Sequence, residues 1–386
     1  MSRPTLRRTP KLESLETRQV LSSVAGPTAD KQYVLEMINL VRTNPSAAAD
    51  RFTSNLSSDV QATLQQYGLT ADGLKSELKS AAALPPLAYS DALASTAQGQ
   101  SQDEVTLGKQ THSGANGSSL GDRLKSVNYN LSTAGENTYA YAESVDQAMQ
   151  SFLFDWGVAD HGHYNNLLQP GVSAQNSYKD VGIGLVNTQG NGVGPMVVTT
   201  DFGAEQNSGP QIVGVVYNDK NHDNFYNPGE GQGGVTITAT DPTGKTYSTV
   251  NWDSGGYQIA VPGGSDYTVT ATLNGQVLNT RTIHVADVNQ KVDFVLDGTP
   301  PPVTVPIAAP APAPAPAPTP TPAPAPTPAP APTPVAAPTP APTPPPVVIA
   351  MNATVAAPTT SPTPDSSAPS WLSGWSKWRA IDNSQG

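Results

Sequence analysis

Between residues 30 and 205 the apolar positions recur every third or fourth residue. Val34, Met37, Ile38 and Val41 share one helix face, and Asn44-Pro45 stops that helix because proline lacks an amide proton and restricts the residue before it. A second helical run leads from Ser90 through Ala97 towards Val105, and residues 56–84 hold helical fragments broken by Gly68 and Gly73. Val145, Ala148, Met149 and Phe152 form a further face. Short β-type runs at Val181–Val186 and Met196–Phe202 close the segment, so helices enclosing a small sheet are expected.

From residue 211 to 297 the period changes to two. Runs at Ile212–Tyr217, Val235–Ala239, Tyr247–Asn251, Tyr257–Val261, Tyr267–Leu273 and Lys291–Leu296 are separated by Gly, Asn, Asp and Pro, which predicts an all-β sandwich. Beyond Thr299 the pattern disappears into Pro-Ala-Thr repetition as far as Val348, which buries no core and favours an extended, semi-rigid arm. At ~3.1 Å per residue such an arm reaches on the order of 150 Å. The expected plan is a leader (1–29), a mixed domain (30–205), a β-domain (211–297), a Pro-rich disordered linker (299–348) and a tail (349–386). That tail carries Trp371, Trp375 and Trp378 beside Lys377 and Arg379, and is read as a half-disordered amphipathic end.

Composition narrows the functions available. Charged residues make up 13% of the chain and 39 prolines crowd its C-terminal part, so the foldable portion is shorter than 386 residues. A net charge of −11 speaks against binding to phosphate backbones, and nucleic acid is excluded as an expected partner. With no cysteine there are no disulfides, thiolate metal sites or thiol nucleophiles. No run of about 18 apolar residues offers a membrane span. Arg3, Arg7, Arg8 and Lys11 precede only the weakly apolar stretch Val20–Ala25, a poor secretory signal. The string from Leu12 to Ser22 nonetheless resembles a leader that recurs on large exported proteins of planctomycete-type bacteria. On that resemblance the chain is exported, to the cell surface or beyond.

Several short strings in the mixed domain occur in an informative order. His112 is followed by Asp122-Arg123-Leu124 and Tyr129, then Gly135-Glu136-Asn137, then Asp155-Trp156 and Gly162-His163-Tyr164-Asn165-Asn166-Leu167-Leu168. Val181-Gly182-Ile183-Gly184 and Thr200-Asp201-Phe202-Gly203 complete the series. Together they resemble the bacterial CAP (SCP/PR-1-like) family. The resemblance implies an α-β-α sandwich with a cleft lined by His112, Glu136 and His163, and an extracellular or cell-envelope ligand, with lipid or sterol among the classes. Two positions depart from the family pattern: Ala159 and Asp160 stand where a glutamate follows the tryptophan, and Tyr164 stands where arginine is usual.

The chemistry of that trio leaves two readings open. Two neutral imidazoles and a carboxylate can bind zinc in an open site and support a metal-dependent hydrolase acting on peptides or cell-wall material. The same three groups can also hydrogen-bond one another and pin three loops together. No HExxH helix and no Gly-x-Ser-x-Gly elbow accompanies them, which favours a binding or scaffold role over catalysis. His161, two residues from His163, is read as a surface histidine.

A second candidate lies in the β-domain. From Asp219 to Glu230, oxygen-bearing side chains fall at positions 1, 3, 5, 9 and 12 (Asp219, Asn221, Asp223, Asn227, Glu230), with the Phe225 carbonyl at 7. Calcium takes six to eight oxygens and accepts a bidentate glutamate at position 12. Asn224 stands at position 6, where the loop turns sharply and where asparagine enters the left-handed region more readily than most residues. His222 and His284 are assigned no role. The flanks are strand-like, and with Gly233-Gly234-Val235 and Gly255-Gly256-Tyr257 the segment resembles the SdrD B / Cna-B-like repeats of bacterial surface proteins. That resemblance implies a calcium-binding turn.

Overall fold

A computed structural model describes residues 26–190 and 192–296, all within one compact unit. The leader motif, the Pro-rich arm and the Trp-containing tail lie outside the described residues.

Thr28 caps the first helix, α1 (Ala29–Thr43), accepting the Lys31 amide. Asn44 ends α1 and caps α2 (Pro45–Thr53), whose first position is proline, where the missing amide proton costs nothing. Gly68 closes α3 (Ser58–Tyr67) in the left-handed conformation at φ 68°. Gly73 does not break a helix as the sequence suggests. It sits in the first turn of α4 (Ala71–Ser80), where its amide donates to the Thr70 hydroxyl at 3.0 Å.

The remaining elements of this domain are β1 (Ala88–Tyr89), α5 (Asp91–Leu107), α6 (Leu120–Ser126), β2 (Leu131–Ala142), α7 (Val145–Phe154), α8 (Gly162–Leu168), β3 (Asp180–Asn187) and β4 (Met196–Glu205). The strands form one sheet in the order β1-β3-β4-β2, with β1 parallel to β3 and the other pairs antiparallel. Strand β2 is absent from the sequence expectation. Asn137 through Ala140 are all buried, so no polar face alternates with an apolar one to announce it.

Helix α5 lies almost on the backbone of β3. A Cβ on Gly182 would stand 1.9 Å from the Leu93 carbonyl carbon, and one on Gly184 2.2 Å from the Ala97 oxygen. Only glycine fits at these two positions. Part of the seam between α5 and β4 is polar: Thr96 donates to Asp201 at 2.5 Å and Ser101 to Thr199 at 2.8 Å.

The second domain holds β5 (Gln211–Asn218), β6 (Thr236–Thr240), β7 (Thr246–Val250), β8 (Gly256–Ala260), β9 (Ser265–Leu273), β10 (Gln276–Val285), β11 (Gln290–Lys291) and β12 (Phe294–Leu296). One sheet runs β10-β9-β6-β7; in the other, β5 pairs with β11 and β12 in parallel and with β8 antiparallel. Inward residues of both sheets, among them Val216, Ile237, Tyr257, Tyr267, Val269 and Phe294, make one apolar core. The alternation names no strand over β10, because most of its residues are exposed and its only contribution to the buried core is Val285.

The two domains are docked on each other. Asn289 donates its amide to the carbonyls of Pro86 (3.1 Å) and Lys179 (2.8 Å), and Gln258 accepts the Tyr89 amide at 3.0 Å. Lys291 reaches Glu36 of α1 at 2.8 Å and also meets Asp293. All three groups of this charged set come from buried or half-buried residues.

Candidate functional site

Glu136 lies on β2, directly opposite Asp201 of β4. Its carboxylate is buried, with 3% of the side chain exposed, and both oxygens are engaged: Oε1 meets His112 Nδ1 at 2.9 Å and Oε2 accepts from Arg123 Nη2. Arg123 also donates to the carbonyls of His112 (3.2 Å) and Ser118 (3.1 Å), which fixes the loop carrying the histidine. The arginine itself is placed by α6, whose capping box pairs Ser119 with Asp122. His112 is half exposed and presents its other ring edge away from the carboxylate.

Three acids share this buried region. Burial pushes Glu136 up, but the His112 hydrogen bond and the Arg123 charge outweigh it and hold the carboxyl below its ordinary value. Asp201 is pushed well above the ordinary range by burial and then by the Glu136 charge. Its Oδ1 is buried without a hydrogen-bond partner and its Oδ2 accepts from Thr96, so the protonated acid is the form this surrounding favours. Glu104 of α5 is pushed up to about 8 by burial, although the Thr111 amide (2.7 Å) and the Thr138 hydroxyl (2.7 Å) partly offset the shift.

His163 is tied differently. Its Nδ1 meets Asp155 Oδ1 at 2.8 Å, and Asp155 Oδ2 accepts the Tyr164 amide at 3.1 Å. Asp155 is fully buried and closes α7 in the left-handed conformation at φ 52°. The His163 carbonyl accepts from Asn137 Nδ2 at 3.0 Å, and Asn166 donates to the Glu136 carbonyl (3.2 Å) and to Asn137 Oδ1 (2.8 Å). Successive residues of a strand point to opposite faces. The structure thus sets a His112–Glu136 pair and a His163–Asp155 pair on the two sides of edge strand β2, bridged by Asn137 and Asn166. Asp160 offers only its carbonyl, to Asn165 at 3.0 Å, and His161 makes no capping hydrogen bond.

Among the described residues no three His, Asp or Glu side chains are grouped to hold a metal. Both Glu136 oxygens are held by His112 and Arg123, and His112, Glu136 and His163 are not among any such group. Sequence reasoning passed over Arg123, Glu104, Asp155 and Asp201 as site residues. Arg123, Asp155 and Asp201 each lie inside a string that carries the family resemblance, but nothing local marks them as partners of residues 8 to 65 positions away. A separate groove of about 690 Å³, lined by Thr53, Leu56, Gln61, Leu64 and Leu69, includes none of the cluster residues.

In the acidic loop, Asp219 accepts the backbone amides of Asp223 (3.1 Å) and Asn224 (3.0 Å), and Asn224 is left-handed at φ 57°. Glu230, 5% exposed, accepts the Lys220 backbone amide on Oε1 (3.0 Å) and that of Asn227 on Oε2 (2.8 Å). Asp223 Oδ2, the Phe225 carbonyl and Glu230 Oε2 converge on the Asn227 side-chain nitrogen, Nδ2, at 3.1, 3.2 and 3.4 Å. That nitrogen stands where three oxygens point. A hard, oxygen-seeking cation would find the same three oxygens once the side-chain amide swings aside. Asn221 Oδ1 accepts the Asp223 amide at 3.1 Å.

Residues 35–202 match the model of the cysteine-rich secretory protein family, CAP, and the first domain is a CAP domain. It matches that family without a single cysteine. Among solved structures, the chain is similar to an extracellular SCP-domain protein of Bacillus anthracis, with 25% identity over 39% of this chain and 45% of that one and a TM-score of 0.26. It is also similar to an outer surface protein of Borrelia burgdorferi, with 14% identity over 39% of this chain and 95% of that one and a TM-score of 0.26. The aligned part is under half the length of the Bacillus protein. No curated protein matches. Among the described residues no helix is long and apolar enough to cross a membrane.

Proposed function

We propose that this chain is an exported, extracellular or cell-surface protein whose CAP domain, an α-β-α sandwich, works as a binding or scaffold module for a cell-envelope ligand and not as an enzyme. It is carried with a calcium-binding β-sandwich of the SdrD B / Cna-B-like kind. One observation carries the non-catalytic reading: Glu136, the cleft carboxylate, is committed to His112 and Arg123 and faces Asp201. A general base must turn a carboxylate oxygen to its target, and both oxygens of this one are already held, one by an imidazole and one by a guanidinium. The cluster reads as a clasp that joins the His112 loop, α6 and β2.

The competing reading is a metal-dependent hydrolase. Each imidazole is held through Nδ1 by a carboxylate, an arrangement that orients the opposite nitrogen of a metal-ligating histidine. The two readings part on purified full-length protein. We expect zinc well below one equivalent and no turnover of peptides or cell-wall material. Stoichiometric zinc, together with turnover that disappears in His163→Ala, overturns the scaffold reading.

For the β-domain, the convergence of Asp223, Phe225 and Glu230 oxygens supports calcium, with Asp219, Asn221 and Asn227 completing the donor set. The cation's contribution is to neutralise three carboxylates that repel one another across a short loop. Extracellular calcium modules bind at about 10⁻⁴ to 10⁻³ M, the range expected here.

A further inference from the structure

The acidic loop is also where the second domain grips the first. The Phe225 ring lies under the guanidinium of Arg51, 4.0 Å from Cζ to the ring centroid, and meets Tyr33 edge-on with centroids 6.0 Å apart. Arg51 donates from Nη2 to the Tyr33 hydroxyl at 2.7 Å, and its Nη1 stands 3.7 Å from Asp223 Oδ2. Tyr33 in turn donates to Asp146 of α7 at 2.9 Å. The next loop residue, Tyr226, donates to the Ala29 carbonyl at the start of α1, at 3.4 Å. Two helices of the CAP domain, α1 and α2, are thus tied to three residues of one loop, and α7 is joined to them through Tyr33.

Arg51 is the hub of these contacts. It stands on α2, its Nε is buried without a partner, and it is held by stacking on one ring and by its two terminal nitrogens. A planar guanidinium stacks and donates in its plane at the same time, which an ammonium does not. Phe225 has two jobs in this geometry. Its carbonyl points at Asn227 Nδ2 inside the loop, and its side chain fills the space under Arg51. Fixing the carbonyl fixes the backbone that aims the ring.

We propose that Arg51 is an interdomain latch, through which the order of loop 219–230 and the order of the α1–α2 end of the CAP domain are set together. The latch rests on the contacts of Arg51; only the direction in which calcium drives it rests on the calcium reading above. An ordered loop holds Phe225 and Asp223 against α2, and a loosened loop releases α2. The Asn289 amide bonds Pro86 and Lys179, outside α1 and α2, and is a second tie between the domains that does not pass through Arg51.

Hydrogen exchange of the full chain tests this. In Arg51→Gln, amides of 219–230 should exchange roughly tenfold faster although the substitution lies in the other domain, with β9 and β10 unchanged. Arg51→Lys keeps the charge and loses the plane, and should recover less than half of the protection. Exchange that quickens in α2 alone overturns the latch. Should Arg51→Gln unfold the chain, Phe225→Leu asks the converse, and faster exchange over 45–53 is then the expected result; unchanged exchange there overturns it. Added calcium should slow exchange in the loop and in 29–53 of the unsubstituted protein. Slowing confined to the loop overturns the coupling. No change in either segment removes the calcium reading, and the substitutions then decide the latch alone.

Discussion

The cluster around Glu136 and the loop around Asp219 both gather carboxylates, and they reconcile them by opposite means. In the CAP domain the acids are buried, and their relief comes from a guanidinium, an imidazole and a retained proton drawn from three separate segments. In the β-domain the acids fall within twelve residues and are relieved mostly by backbone amides of the same turn. Charge buried in low dielectric must be paired on the spot, as Glu230 also is by two amides, whereas the more exposed Asp219 and Asp223 can wait for solvent or a cation. The first arrangement can only be structural glue or a specialised site; the second stays open to an ion.

The sharpest way to break this comparison is Arg123→Leu. It strands Glu136 beside Asp201 without its cation, and removing one partner of a buried pair typically costs about 3–5 kcal/mol. Denaturant unfolding should report a loss of that size, and a loss below about 1 kcal/mol would mean the cluster is no more committed than the loop.

Glu104 sharpens it through pH. Its folded pKa is raised to about 8 from 4.5, so the fold prefers the protonated acid. Its effect is smallest below pH 4.5, where both states are protonated, and the domain loses stability as pH rises from there to about 8. Glu104→Gln abolishes that slope, and at pH 8 the variant should be the more stable protein by a few kcal/mol. A variant whose stability falls between pH 5 and 8 as steeply as the unsubstituted protein would show that Glu104 is not the source.

The smallest effect belongs to the loop. Several millimolar calcium should raise the melting temperature by the equivalent of about 1–2 kcal/mol relative to chelator, and magnesium should do so poorly. Glu230→Gln should erase most of that gain. A melting curve indifferent to calcium leaves an acidic turn.

How much of this was legible in the sequence follows from the same contrast. The loop is local: Asp219, Asp223 and Glu230 fall within one turn of chain, so their nearness is plain in the sequence, and Asn224 at φ 57° follows from its tolerance of left-handed backbone. The helices were legible where one face is apolar, as at Val34 to Val41, and the strands of the β-domain where Tyr267, Val269 and Ala271 alternate with threonines. Strand β2 was not, because it is buried on both faces. His112, Glu136 and His163 came from family strings, but their partners did not. Asp155 and Arg123 look like ordinary helix-end residues until the fold brings them to the histidine and the glutamate. Nor did any periodicity foretell that the domains would dock, since Asn289, Gln258 and Lys291 are single polar residues, two of them on expected strands whose alternation says nothing of a partner domain.

The charged set that joins the domains has a consequence for the order in which the chain can mature. Glu36 is buried in α1, near the beginning, and its cation, Lys291, is near the end of the second domain. A ribosome or a secretion channel delivers the N-terminal part first. Until residues 289–291 emerge, Glu36 lacks its partner and the Pro86 and Lys179 carbonyls lack the Asn289 amide. The CAP segment therefore waits, incompletely closed, for the β-domain to arrive.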